Sequence, residues 1–430
     1  MVEPVTTPSL AELTKASWTV GVLGFGGPAG QIALMHKVFV DEKRWIDEPR
    51  YLHALSYCTL LPGPEAQQLA TYVGWLLHGV RGGLIAGGLF VIPGVVVMLG
   101  LSWLYAAQGT TPLVAALFYG VKAAVVALVV EALIRIGRRA LKGWADLAIA
   151  AAAFVALTLF GAPFPVVILS AALIGLLRGS ATLPPADIST SDMPSGRRAL
   201  MTALVWAGLW LGPLAALWIS LGPQHLLTRV AALFSTLATV TFGGAYAALA
   251  YLQQQAVTAQ GWLTPAQMID GLGLAETTPG PLVLVNQHVA FMAGWQAPGG
   301  GMGLALAAAL IASWSTFAPS FLWIFAGAPY AERLRQNPRA KAALAAVTAA
   351  VLGVIANLAL WFAVHALFTQ SGPWHTAWGH TLDLPVLVSL DPYALGLSIL
   401  AGAALIRWKV HVIAVVLACA AAGAVIQLVL

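Results

Sequence analysis

Apolar stretches long enough to cross a lipid bilayer follow one another almost from end to end of this chain. A bilayer core about 30 Å thick takes about 20 apolar residues per helical span. Inside it, only helices or closed barrels satisfy every backbone polar group. Composition points the same way: of 430 residues, 60% are hydrophobic and 9% charged, against roughly a quarter charged in an average soluble domain. A water-soluble globule of this size is excluded, and the chain reads as an all-α polytopic membrane protein. Its net charge of +5 comes from Lys and Arg residues gathered between apolar stretches, as in cytoplasmic loops, and they form no nucleic-acid patch. Cys58 and Cys419 lie in apolar sequence without a CxxC or a Cys/His cluster, so neither a disulfide framework nor a metal site is expected. The start, MVEPVTTPSLAELTKASW, lacks a secretory signal pattern, and the first hydrophobic segment is expected to stay in the mature protein.

An internal repeat organises the chain. Phe25-Gly26-Gly27 recurs as Phe242-Gly243-Gly244, Trp45 as Trp262, and Pro62-Gly63-Pro64 as Pro279-Gly280-Pro281, all at one offset of 217 positions. Gly74-Trp75 matches Gly294-Trp295 at 220 and Pro93 matches Pro319 at 226, so short insertions accumulate. The expected organisation is a first module over 1–180, a polar cytoplasmic linker over 181–198, an unpaired apolar helix over 199–221 and a second module over 222–430. One extra crossing turns the second module over, and inverted repeats of this kind hold substrate at their interface near the midplane.

Charge tests the inversion. Lys37, Lys43, Arg44 and Arg50 precede the first Pro-Gly-Pro, and Arg135, Arg138, Arg139 and Lys142 follow residue 134. Both clusters belong in the cytoplasm, which favours a re-entrant hairpin broken at Pro62-Gly63-Pro64 over three full crossings. In the second copy, residues 253–265 carry no Lys or Arg, whereas Arg333, Arg335, Arg339 and Lys341 follow the segment at 300–327. Inversion predicts that switch. A full span interrupted midway is the alternative.

Pro-Gly-Pro breaks a helix, because proline removes a donor and restricts its predecessor while glycine opens other conformations. Pro64 suits the start of a new helix, whose free amides and positive dipole end attract an anion. The pairs Gly26-Gly27 and Gly243-Gly244 add two more breaks or close approaches, although small residues also serve simple helix packing. Glu65 stands in the first turn of the new helix, where a capping role is the plain alternative. Glu276 stands before Thr277-Thr278-Pro279 at the end of the incoming helix, where the dipole disfavours negative charge. Glu276 is therefore the better candidate for proton coupling, with Glu65 second. Lys122 lies about 15 Å along the segment that begins near Pro112 and needs a partner there: Glu65, Glu276 or the anion itself. Glu131 and Arg135, spaced i, i+4, are expected to pair. Gln67, Gln68, Asn286 and Gln287 follow the two breaks and can donate amide hydrogen bonds to an oxyanion or glue helices together. His36, His53, His78 and His288 show no zinc spacing and read as interfacial or packing residues. With no nucleophile elbow and no P-loop, neither an enzyme nor an ATP-driven pump is indicated, and nothing calls for a cofactor.

These residues resemble a family. FGGPAGQIALM at 25–35, LLPGPEAQQLATYVGWLLHG at 60–79 and GVKAAVVAL at 120–128 are similar to the chromate ion transporter family. TFGGAYAALAYLQQ at 241–254 and AETTPGPLVLVNQ at 275–287 resemble that family's second domain, as in its long-chain, two-domain members. The resemblance implies export of chromate across the bacterial inner membrane on an ion gradient, with sulfate as a competing oxyanion and chromate resistance as the outcome. It carries over Gly26, Gly27, Pro62, Gly63, Pro64, Glu65, Gln68, Lys122, Gly243, Gly244, Glu276, Pro279, Gly280 and Pro281. From the residues alone, a cation/proton antiporter and a membrane assembly protein stay open. Beyond the oxyanion and membrane lipids, a homodimer is compatible with such a surface, but lipid-facing and subunit-facing residues look alike in sequence.

Overall fold

The computed structural model describes residues 8–109, 111–178, 196–242, 244–328 and 337–429. Gly243, residues 181–195 of the expected linker, and Arg333 and Arg335 lie outside the described residues. Each helix starts where local chemistry favours it. Ser9 and Glu12 form a reciprocal capping box at the head of α1 (Leu10–Leu23). After the Phe25-Gly26-Gly27 break comes α2 (Gly27–His36), which widens into a π-turn at Lys37–Glu42. Asp47 caps α3 (Glu48–Cys58) by accepting from the Arg50 N–H at 2.8 Å. The first Pro-Gly-Pro then separates α3 from α4 (Glu65–Gln108).

Helix α4 folds back on itself. His78 and Gly79 leave helical geometry (φ −139°, ψ 26° and φ 60°, ψ −148°). Gly74 and Gly82 then bring the two arms together so closely that a side-chain carbon on either would collide with the other's carbonyl oxygen. The arm over 65–77 is roughly 20 Å long and α3 roughly 16 Å at 1.5 Å per residue. Neither alone matches the roughly 30 Å core.

The chain continues through α5 (Pro112–Ala140), α6 (Trp144–Phe160), α7 (Phe164–Arg178) and α8 (Gly196–Leu221). The element order then recurs: α9 (Leu226–Val240), α10 (Ala245–Gln253) with a second π-turn at Gln254–Ala259, and α11 (Pro265–Thr277). After the second Pro-Gly-Pro and a 3₁₀ turn at Leu282–Leu284 come α12 (Val285–Gln296), α13 (Met302–Gly327) and α14 (Pro338–Leu367). Helices α12 and α13 correspond to the two arms of α4, meeting at Gly294, where a side-chain carbon would lie 2.7 Å from the Ala305 Cα. An antiparallel hairpin of β1 (Ser371–His375) and β2 (Thr381–Pro385) precedes α15 (Pro392–Ile406) and α16 (Val412–Val429). Among the described residues this hairpin has no counterpart in the first half, and no sequence motif marks it.

Among the described residues, six helices are long and apolar enough to cross a membrane by length and composition, α4, α5, α8, α13, α14 and α16. The fold is that of an all-α, multi-pass membrane protein. It divides into two compact units, one of residues 1–100, 180–245 and 278–341, the other of residues 101–179, 246–277 and 342–430. Neither unit coincides with a sequence half; each takes segments from both. In the first unit, α13 packs on α9 and α8, with Trp210, Ala318 and Leu322 buried together. In the second, α5 is the central helix, packed by α11, α15 and α16. Gly120 of α5 and Gly423 of α16 let those two backbones touch.

Candidate functional site

The first unit gathers three of the broken helix ends seen in the sequence, together with the described part of the fourth. Gly63 donates its N–H to the Thr241 carbonyl at 2.9 Å, and Gly280 donates its N–H to the Gly24 carbonyl at 2.9 Å. The two bonds are equivalent under the 217-residue offset: each Pro-Gly-Pro glycine is completed by the residue before the Phe-Gly-Gly of the other half. Both glycines sit in the left-handed region, φ 104° at Gly63 and φ 95° at Gly280, which side chains disfavour. Gln31 secures the second crossing by donating to the Gly24 carbonyl at 3.1 Å and the Gly280 carbonyl at 2.5 Å.

At the first break Thr59 is exposed, Leu60 to Gly63 are half-buried and Pro64 is buried. Gln68 folds back to donate to the Pro62 carbonyl at 2.7 Å. The Ser320 hydroxyl is 1% exposed, has no hydrogen-bond partner, and lies 4.0 Å from where a Gly63 side-chain carbon would stand. Glu65 occupies the first turn of α4, whose leading amides have no partner within the helix. At the second break every residue from Thr278 to Asn286 is buried. Gly94 lies directly against the Pro279 carbonyl, and the Leu284 Cδ1 is 3.2 Å from the side-chain position of Gly280. Leu282 stands where Glu65 does in the first copy, so this break carries no acid on its outgoing side.

The side-chain amides are committed in a particular sense. Besides Gln31 and Gln68, Gln287 donates to the Val95 carbonyl at 3.0 Å, Gln67 to the Phe317 carbonyl at 3.5 Å, and Asn286 to the Thr316 hydroxyl at 3.1 Å. A backbone carbonyl only accepts, so the NH₂ end must face it. The side-chain oxygens of Gln31, Gln67, Gln68, Asn286 and Gln287 are left buried without a hydrogen-bond partner. Gln67 also lines an apolar cavity of about 430 Å³ beside Trp206, Trp210 and Trp314. Gly26, Gly27 and Gly244 have positive φ and open space at the side-chain position; Gly243 is outside the described residues.

The second unit holds Lys122 and Glu276. Within that unit the partner of Lys122 is Asp270, not Glu276: its Nζ lies 3.8 Å from the Asp270 carboxylate. Asp270 also accepts from the Tyr105 hydroxyl at 2.8 Å. Glu276, in the last turn of α11, accepts from the Tyr246 hydroxyl at 2.8 Å. Thr277 bonds back to the Leu274 carbonyl at 2.9 Å. The expected Glu131–Arg135 pair is present at 3.2 Å. Asp270, Tyr105, Tyr246, Gln31 and Ser320 were missed from the sequence. Asp270 alone carried a clear signal there, an acid inside an apolar helix.

A multi-pass helical membrane protein whose helices break at Pro-Gly-Pro, and whose apolar helices carry buried acids, has the build of a transporter. The sequence profile of the chromate transporter family matches residues 11–176 and 228–424, and the chain belongs to that family. The two matched stretches are the two halves marked by the repeat. The chain is 31% identical to a chromate transport protein of Pseudomonas aeruginosa over 78% of its length and 76% of that protein's. It is 29% identical to a probable chromate transport protein of Synechococcus elongatus (81% and 83%) and 28% identical to a chromate transport protein of Cupriavidus metallidurans (84% and 84%). No solved structure matches it.

Proposed function

We propose that this chain exports chromate from the bacterial cytoplasm across the inner membrane, driven by an ion gradient, with sulfate competing and chromate resistance as the result. The observation that carries this reading is the half-exposed first break. There the amides at the head of α4, the left-handed turn at Gly63 and the unpartnered Ser320 hydroxyl lie together, in the way helix starts receive tetrahedral oxyanions. An oxyanion at this helix end stands close to Glu65, and like charges at that range repel. The charge on Glu65 and the presence of the anion are therefore linked, which ties transport to a proton. Glu276, held by Tyr246, is the second proton-coupling carboxylate in this scheme, and Lys122 contributes positive charge to substrate binding.

Labelled chromate uptake into inverted membrane vesicles, with and without a pH gradient, tests the proposal. Accumulation that depends on the gradient and is reduced by sulfate is expected; absence of chromate flux rejects it. One observation favours a second reading. Five buried amide oxygens without partners suit a cation better than an anion, so cation-driven pH changes without chromate flux would identify a cation/proton antiporter. Within the first reading, Glu276→Gln removes the proton dependence of transport while the protein still folds; an unchanged pH profile excludes Glu276 from coupling. Inversion of the second half places residues 255–260 outside, and cytoplasmic labelling of cysteines introduced there would refute it.

A further inference from the structure

Asp270 belongs to none of the sequence motifs, yet its surroundings are specific. It lies on α11, which Gly273 allows to rest directly on Val121 of α5, the neighbour of Lys122. One carboxylate oxygen accepts from the Tyr105 hydroxyl at 2.8 Å. The other accepts no hydrogen bond and faces the Lys122 ammonium at 3.8 Å, longer than the 2.7–2.9 Å or so of a charge-assisted hydrogen bond. The two partners differ in freedom: the Asp270 side chain is 5% exposed and that of Lys122 is 26%. The lysine sits on a long flexible stem and is able to move; the carboxylate is not.

We infer that Asp270 is a proton-binding site gated by Lys122. The inference rests on the reading of this chain as an oxyanion transporter. While Lys122 faces Asp270, the pair is neutral as ammonium and carboxylate. An incoming oxyanion draws the ammonium to itself and leaves Asp270 buried without a counter-charge. A buried carboxylate without a partner is far more costly than its neutral acid, so Asp270 takes one proton from water on the oxygen that Lys122 has vacated. No other bond changes, and the lysine stays an ammonium. When the anion leaves, Lys122 returns and the proton is released. Binding of proton and anion at this pair is therefore mutually reinforcing, as linkage requires. The other titratable groups on the elements packed here do not replace Lys122. Glu276 on α11 is held by Tyr246, Tyr105 is already a donor to Asp270, Tyr119 of α5 donates to Asp391 and Glu131 of α5 pairs with Arg135, and α16 brings only the Cys419 thiol.

The test is calorimetric titration of the purified full chain with sulfate or chromate in two buffers of different ionisation enthalpy, which counts protons taken up per anion bound. In Asp270→Asn the count is expected to fall by about one relative to wild type, and the pH dependence of anion affinity by about tenfold per pH unit. In Lys122→Gln, which tests the same gate should the first variant not fold, the count falls equally and anion affinity drops at least tenfold. A wild-type count preserved in either variant assigns the proton to Glu65 or Glu276 and overturns the inference while leaving oxyanion transport intact. Absence of anion binding by the wild type rejects the transport reading and this inference with it.

Discussion

The two Pro-Gly-Pro breaks share a motif, a backbone conformation and a hydrogen bond to the opposite half, yet one is half-exposed and polar while the other is sealed. The difference lies in two pairs of equivalent positions. Glu65 in the first copy is Leu282 in the second, and Ser320, beside the first break, is equivalent to Gly94, beside the second. A hydroxyl and an acid line one break; a bare glycine backbone and leucine side chains close the other. The same broken helix thus serves as a polar pocket or as a packing joint, depending on what surrounds it.

The sealed break is most vulnerable at Gly94. Gly94→Val drives a branched side chain into the Pro279 carbonyl, at a cost of about 1–3 kcal/mol or more for overpacking. A lower yield of monodisperse protein and a drop in the detergent melting midpoint are expected. The equivalent change at the open break, Ser320→Ala, removes an already unpartnered hydroxyl and leaves stability nearly unchanged. It should instead weaken oxyanion affinity several-fold; equal stability losses in the two variants would erase the distinction. Glu65→Gln is next in size: the proton dependence of chromate flux should flatten, by up to about tenfold per pH unit, with the melting midpoint unchanged. Cysteine labelling then sharpens the exposure difference. In a background with Cys58 and Cys419 replaced by serine, Thr59→Cys should react with a water-soluble maleimide at least several-fold faster than Thr278→Cys, whose native residue is 3% exposed.

The smallest effect concerns a neighbour of the first broken segment. The hydrogen bond that His36 donates to Glu48, then the charges of Glu48 and Asp41, raise the pKa of His36 above the usual histidine value. A raised pKa in the folded state stabilises below the unfolded value, and that stabilisation is lost as pH climbs through the folded one. His36→Asn should therefore lower the melting midpoint slightly at about pH 5.5 and leave it alone at about pH 8.5, for a pair worth about 0.2–1 kcal/mol at a partly exposed site. An equal loss at both pH values would assign His36 a packing role against Tyr51 instead, whose ring it meets edge-on at 5.1 Å.

The breaks were legible in the sequence because proline and glycine interrupt a helix whatever surrounds them, and the repeat was legible because its offsets are nearly constant. Their partners were not. That Gly63 would meet Thr241 and Gly280 would meet Gly24 depends on which helix ends the fold brings together, and no local propensity records it. The amides of Gln67, Gln68 and Asn286 were identified as polar groups beside the breaks, but the end each turns to the backbone is a tertiary matter. Asp270 is readable as an acid in an apolar helix, but it lies outside every motif and nothing local pairs it with Lys122. The hairpin at 371–385 was hidden differently: its strands are five residues each, too short for alternation to stand out in so apolar a chain.

The reciprocal bonds at Gly63 and Gly280 have a consequence in time. Chains are made from the N-terminus at about 5–20 residues per second, so about 9 to 36 seconds separate synthesis of Gly63 from that of Thr241. Through that interval the first half has a broken helix whose amide has no carbonyl to meet, inside or beside a bilayer that offers none. The insertion machinery must hold the nascent first half in a wet, unfinished state until the second arrives. By the same logic, two half-length chains made from a split gene should yield a stable protein only when made together.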